Sequence, residues 1–392
     1  MMHIGIDGGC WTNRRGYGRF LRELLDALAV EDRVNRYSVF LDAAAYPEFR
    51  LGQPFRAVRV GTRRSVTQAA HAGGRRSFSD LLRMSRAVAK ERLDLFFFPS
   101  VYSWFPLPRR VPTVTVIHDT VADRNPELAF DSRRHQQFWR WKVRLAITQA
   151  RTILTVSEYS MRCLQAEWKL PPERIRVLYE AASPRFLKIA YAPVEPYILY
   201  VGGISPNKNL ATLVRAFARV HAAHSGLKLI LAGDYQSDGF KSSYAQLRAL
   251  IEALGLGRNV VFTGYVPDDE LCLLYNGARA FVMPSLDEGF GLPALEAMAC
   301  GTPVIASSGN ALEEIAGGAA LLVDPHQEGA LASAILSVLE DPLFAAEMSR
   351  RALERAAQFS WSRTARELMG IFRETARQKE AGGTLSASPG VS

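Results

Sequence analysis

The sequence predicts an α/β protein made of two doubly wound parallel sheets that face each other across a cleft. Three observations carry this. Short apolar runs alternate with helical patterns along most of the chain, as parallel β-α units require. The pattern breaks at residues 188–196, where Pro193 and Pro196 bracket an aperiodic stretch, and then restarts. A length of 392 residues is long for one domain but comfortable for two, each burying its own core.

Taken in order, His3–Asp7 reads as the first strand, and residues 18–30 as a helix with Phe20, Leu21, Leu24, Leu25 and Leu28 on one face. Further strands are expected at 38–41, 94–98, 113–118, 152–156 and 175–178, whereas residues 57–92 show no clear period. After the break come strands at 197–201, 228–232, 260–263, 280–283, 303–307 and 320–323, with helices at 210–221 and 244–254. The expected divisions are 1–190, 197–358, a C-terminal helix at 359–380 and a small, polar, disordered tail at 381–392. Ligands of doubly wound sheets bind beyond the carboxyl ends of the strands, which puts the expected active site between the domains.

The net charge of +9 is concentrated as arginine in the first half, and such a field attracts anions. Two readings stand for the arginines between Arg63 and Arg86: a solvated helix face with a loop, or a patch for an anionic membrane surface or an acceptor's phosphates. No nucleic-acid-binding module accompanies the charge, so nucleic acid is not an expected partner. Cys10, Cys163, Cys272 and Cys300 are scattered without metal-ligand spacing, which predicts neither disulfides nor zinc. No apolar stretch approaches a membrane span, and Met1 leads straight into a polar turn at Asp7, so no signal peptide is expected. A cytoplasmic protein is expected, at most peripheral on the inner face of the membrane.

The most informative stretch is 288–307, EGFGLPALEAMACGTPVIAS. Gly289, Phe290 and Gly291 form a turn, Pro293 sits where a first helical residue is favoured, and Gly301 ends the helix. Free backbone N–H groups at that helix start can seat a diphosphate. Glu288 lies in the turn and Glu296 about two helical turns on, so two carboxylates can hold two parts of one extended ligand, for instance a sugar hydroxyl and a ribose. As a bare pair they would be ordinary helix residues; the glycine–proline turn around them changes that. Asp268, Asp269 and Glu270 follow Pro267 and read as a helix start, not a metal cluster. Trp139 and Trp141 read either as an acceptor wall or as part of a packed helix.

Residues 288–307 resemble the signature of family 4 of the glycosyltransferases, retaining enzymes of the GT-B fold. Five more elements occur in the family's order: 16–19 (GYGR), His118–Asp119, 155–160 (TVSEYS), 202–209 (GGISPNKN) and 359–361 (FSW). The resemblance implies two Rossmann-like domains, the first binding the acceptor and the second a nucleotide-sugar. It implies that Glu288 acts at the donor hexose near the anomeric carbon, that Glu296 bonds the donor ribose and that Lys208 meets the diphosphate. Phe290, Gly291 and Leu292 would offer backbone N–H groups to the phosphates or sugar, Tyr265 and Val266 would border the base, and Gly16 and Ser205 would complete the donor site. His118 would be catalytic, its imidazole bonding a sugar hydroxyl or assisting proton movement, with Asp119 and Tyr17 on the acceptor side. Gly203 stands where many members have an arginine, leaving Lys208 alone or helped by a first-domain arginine. Glu180 and Ala181 replace a common Asn-Gly, which leaves the hinge-side contacts there open.

The expected activity is therefore retaining hexosyl transfer, with mannose from GDP-mannose as the first choice of donor. The acceptor would be a saccharide, free or carried on a polyprenyl diphosphate, and no metal or cofactor is expected. The competing readings are a nucleotide-sugar epimerase or phosphorylase and a non-catalytic sugar-binding scaffold.

Overall fold

In the computed structural model, residues 1–62, 77–130, 132–234 and 242–383 are described. The first half forms a seven-stranded parallel sheet of β1 (His3–Asp7), β2 (Arg36–Asp42), β3 (Phe55–Val60), β4 (Leu95–Phe98), β5 (Thr113–Val116), β6 (Thr152–Thr155) and β7 (Ile175–Val177). Their spatial order is β3-β2-β1-β4-β5-β6-β7. The second half forms a six-stranded parallel sheet of β8 (Tyr197–Val201), β9 (Lys228–Ala232), β10 (Val260–Gly264), β11 (Ala280–Met283), β12 (Val304–Ser307) and β13 (Ala320–Val323), in the order β10-β9-β8-β11-β12-β13. Central strands such as β4 (LFFF) and β11 (AFVM) are buried throughout, the sign of a sheet covered by helices on both faces. Each sheet reverses its direction of growth once, between β1 and β4 and between β8 and β11, and such reversals open a crevice at the carboxyl edge.

Strand β3 was not expected. Its sequence FRAVRV buries Phe55 and Val60 at the two ends and exposes Arg56 and Arg59, charges suited to an edge strand open to water. The first helix, Gly16–Glu31, buries the expected face of Phe20, Leu21, Leu24, Leu25 and Leu28 but starts two residues early. Asp32 ends it: its carboxylate accepts the Val34 and Asn35 amides at 2.9 and 3.0 Å.

The last helix, Trp361–Gly383, packs against the first domain. Trp361, Ala365, Leu368 and Phe372 recur on one face and are buried, each large apolar side chain contributing about 1.5–3 kcal/mol. Trp361 meets Phe20 at 5.8 Å and Phe372 meets Phe97 at 5.4 Å between ring centroids, while the Thr152 and Thr375 hydroxyls bond at 2.8 Å. Residues 381–383, assigned from sequence to a disordered tail, continue this helix, because nothing in the preceding turn breaks it; 384–392 lie outside the described residues. Of the arginines between 63 and 86, those at 63, 64, 75 and 76 also lie outside them, whereas Arg83 and Arg86 stand on the helix Phe78–Ala89. Among the described residues no single helix is long and apolar enough to cross a membrane.

Candidate active site

The helix Leu292–Ala299 owes its position to its glycines. Gly291 precedes it with φ +98°, and a Cβ there would lie 2.2 Å from Leu312 Cδ2. Gly289 faces the other domain so closely that a Cβ would meet the His118 carbonyl oxygen at 2.4 Å. The Gly289 carbonyl accepts from Ser157 Oγ at 2.6 Å and Ser160 Oγ at 3.0 Å, both at the start of the helix Glu158–Trp168. The glycine turn of the second domain is thus docked on the first.

The loop after β8 is stitched to the same turn. The Asn207 side-chain amide donates to the Asp287 carbonyl at 2.7 Å, and the Leu286 amide to the Asn207 carbonyl at 2.9 Å. Asn209, at φ +55°, donates its side-chain amide to the carbonyls of Pro284 and Pro325. Lys208 is thereby held with its Nζ 2.5 Å from Glu288 Oε1. The cation and the carboxylate share one spot beside the N-terminal end of Leu292–Ala299.

Glu296 is buried on the same helix. Its Oε2 accepts the Tyr275 hydroxyl at 2.9 Å, and its Oε1 pairs with Arg19 of the first domain, which also pairs with Asp268. Burial pushes the Glu296 carboxyl up, opposed by Arg19 and Tyr275. Burial alone would lower the Arg19 guanidinium, but Glu296 and Asp268 overcome it and raise it. Asp268 does start a helix, Asp268–Gly277, yet it serves this ion pair as well. Tyr265 is half-exposed, with the Arg14 guanidinium 4.9 Å above its ring.

Across the cleft, Asp119 Oδ1 accepts the Val121 amide at 3.0 Å. Burial pushes its carboxyl up, and Glu288 and Asp287 push the same way against Val121 and His118. Tyr17 packs on Tyr102 at 4.6 Å, and Tyr102 on Trp139 at 4.8 Å. Tyr102 had no sequence signal; only the fold brings it to the cleft. Trp139 is buried behind it and Trp141 points outward, so neither tryptophan forms the cleft wall that one reading offered.

His118 reaches the cleft, where its Nε2 donates to the Pro99 carbonyl at 2.9 Å and its Nδ1 faces Glu180 Oε1 at 3.0 Å. A carbonyl only accepts, so Nε2 carries a proton, and both ring nitrogens have protein partners in this state. Phe20 and Tyr17 hold the ring edge-on at 4.8 and 5.1 Å. Glu180, where the sequence departs from the common pattern, thus orients His118.

One cavity of about 580 Å³, lined from both domains, collects these residues. Gly16, Tyr17, His118 and Asp119 come from the first domain; Ser205, Lys208, Tyr265, Val266, Glu288, Phe290, Gly291, Leu292 and Glu296 from the second. The Phe290 ring is buried against Phe359, leaving its backbone for the cavity. Arg14, Arg15 and Arg19 line the same cavity as Gly203, which supplies no cation of its own. Among the described residues no three His, Cys, Asp or Glu side chains are placed to hold a metal ion.

Two facing doubly wound domains with a shared cleft define a protein of the GT-B fold. Two family models match in tandem, Glycosyltransferase Family 4 over residues 14–184 and Glycosyl transferases group 1 over 188–358. The chain belongs to this glycosyltransferase family. It is 29% identical over 385 residues to O-antigen chain mannosyltransferase B of Escherichia coli, spanning 91% of this chain and 96% of that one. It is 32% identical over 267 residues to the serotype-specific mannosyltransferase WbdA of the same organism, covering 64% of this chain but 32% of that longer protein. Among solved structures, sucrose-phosphate synthase of Thermosynechococcus elongatus superposes with a TM-score of 0.76 at 23% identity, covering 95% of this chain and 99% of that one. Anabaena HepE, solved with UDP and glucose, gives 0.72 at 20% identity, covering 95% and 100%. These two likenesses concern the fold.

Proposed function

We propose that this glycosyltransferase moves a hexose, mannose from GDP-mannose as first choice, with retention of anomeric configuration. The acceptor is a saccharide, free or carried on a polyprenyl diphosphate, in assembly of a polysaccharide such as O-antigen. The observation that carries the reading is the contact of Lys208 with Glu288 beside the start of Leu292–Ala299, in a cavity that also holds Glu296. The mannosyltransferase relatives support the sugar, and the UDP bound to HepE supports a nucleotide-linked donor.

The chemical problem is loss of a nucleoside diphosphate from an oxocarbenium-like centre. Lys208 and the amides of Gly291 and Leu292 stabilise charge growing on the leaving phosphate, where preorganised dipoles act most strongly. When a donor enters, its diphosphate takes over Lys208, and Glu288 is released to the hexose. Glu296 receives the ribose, and Tyr17 and Asp119 meet the acceptor. Transfer proceeds without a metal ion.

The test is a thermal-stability screen against GDP-mannose, GDP-glucose, UDP-glucose and UDP-N-acetylglucosamine, with Glu296→Ala and Lys208→Ala as controls. A ligand at about a hundred times its dissociation constant adds roughly 2.7 kcal/mol. Selective stabilisation by GDP-mannose, lost in both variants, is expected, followed by transfer with retention and without loss in EDTA. Stabilisation by a UDP-sugar alone overturns the donor, inverted product overturns retention, and donor conversion without an acceptor would favour an epimerase.

A further inference from the structure

We propose that the outer face of the helix Arg133–Gln149 docks on an anionic lipid bilayer beside the mouth of the cleft. The inference goes beyond the transfer reaction and stands independently of the donor. This helix, RRHQQFWRWKVRLAITQ, carries five lysine or arginine residues and no acidic one. Two of the five are spent on the protein: Arg140 pairs with Glu167 at 2.5 Å, and Lys142 Nζ donates to the Tyr102 carbonyl at 2.6 Å. The other three, Arg133, Arg134 and Arg144, are exposed.

Between these cations lie two large aromatic side chains. Phe138 is 48% exposed and Trp141 59%, their ring centroids 6.3 Å apart. Steps of four and three residues from Arg134 through Phe138 and Trp141 to Arg144 place them on one side of the helix. The opposite side, with Trp139, Val143, Ala146 and Ile147, is buried in the domain core. A single exposed ring is ordinary, but a paired Phe and Trp ringed by cations, with no carboxylate on the helix, has a specific physical match. Rings of this kind settle at the headgroup level of a bilayer, and guanidinium groups meet the lipid phosphates.

The helix is also placed where such docking would matter. Leu128 and Ala129 line the cleft, and the helix starts at Arg133, a few residues further along the chain. A bilayer against this face would lie next to the opening through which an acceptor enters.

The test is co-sedimentation with vesicles of equimolar phosphatidylcholine and phosphatidylglycerol, against vesicles of phosphatidylcholine alone. Trp141 is the exposed tryptophan of the six, so a blue shift of emission on binding reports its burial. The full chain is expected to pellet with the anionic vesicles and shift its emission. Phe138→Ala/Trp141→Ala and Arg134→Glu/Arg144→Glu are each expected to weaken binding roughly tenfold or more, with unchanged thermal midpoints and unchanged transfer to a soluble acceptor. Binding that is absent in the wild type, indifferent to lipid charge, or retained by both double variants overturns the proposal. Loss in the charge variant alone would also overturn it, because the rings would then play no part.

Discussion

Arg19 and Glu296 form a buried ion pair across the cleft, the first from the opening helix of one domain and the second from the glycine-led helix of the other. With Tyr275 on its second oxygen, the carboxylate expected to take the donor ribose is already engaged at both oxygens. Arg19→Met strands Glu296 in the interior, and breaking a buried pair costs about 3–5 kcal/mol. The free protein should therefore melt several degrees lower. Saturating nucleoside diphosphate should close most of that gap, because ribose hydroxyls then supply the missing hydrogen bonds. Melting curves of both proteins with and without GDP check this; an equal deficit in both conditions would mean that the ribose does not meet Glu296.

Lys208 and Glu288 invite a paired experiment. Lys208→Met removes the cation from the departing phosphate and should cut kcat by about 10²–10³. Glu288→Gln should lower kcat at least as far while leaving the melting temperature within a few degrees, since both groups stand at a cavity wall. Steady-state kinetics with circular dichroism on the same samples decide it. Full activity of Glu288→Gln would remove that residue from the chemistry.

The joint between the domains has its own weak point. Glu314 accepts the amides of Glu158 and Tyr159 at 2.9 Å each and the Tyr179 hydroxyl at 2.9 Å, so a second-domain carboxylate caps a first-domain helix. Glu314→Gln keeps the shape but removes the charge facing the helix dipole, a loss of about 0.3–2 kcal/mol. Amide exchange at 158–160 should speed up. Unchanged exchange there would show that other contacts hold the joint.

Asp123, next to the cleft, should make stability depend on pH. Burial pushes its carboxyl up to about 7, against the opposing pull of Trp139 and Arg140. The folded state then holds a proton that the unfolded chain releases near pH 4. The contribution is complete below that pH and is lost as pH rises through about 7. Asp123→Asn should accordingly be more stable than the wild type at pH 8 and gain least at pH 4. Urea unfolding at the two pH values tests the sign.

Much of the site was legible because its residues are local. Glu288, Gly291, Pro293 and Glu296 fall within one turn and one short helix, and Lys208 sits in one loop. Local spacing places the two glutamates on that turn and helix. Lys208, 80 residues from Glu288 in sequence, is marked instead by resemblance to the family's diphosphate loop. The pairing of His118 with Glu180, 62 residues away, and of Arg19 with Glu296, 277 away, leaves no local trace. The same holds for Tyr102, an ordinary aromatic until Tyr17 and Trp139 enclose it. Strand β3 escaped because its arginines interrupt the apolar run by which buried strands are recognised.

The returning helix sets a timetable for synthesis. Phe97 and Phe20 acquire their partners Phe372 and Trp361 only when the last stretch of chain has been made. At about 5–20 residues per second, the strip between them stays bare on the nascent first domain for on the order of tens of seconds. A chain that stops at residue 358 never covers it, so messages cut short near their end should yield a sticky two-domain product rather than a shortened enzyme.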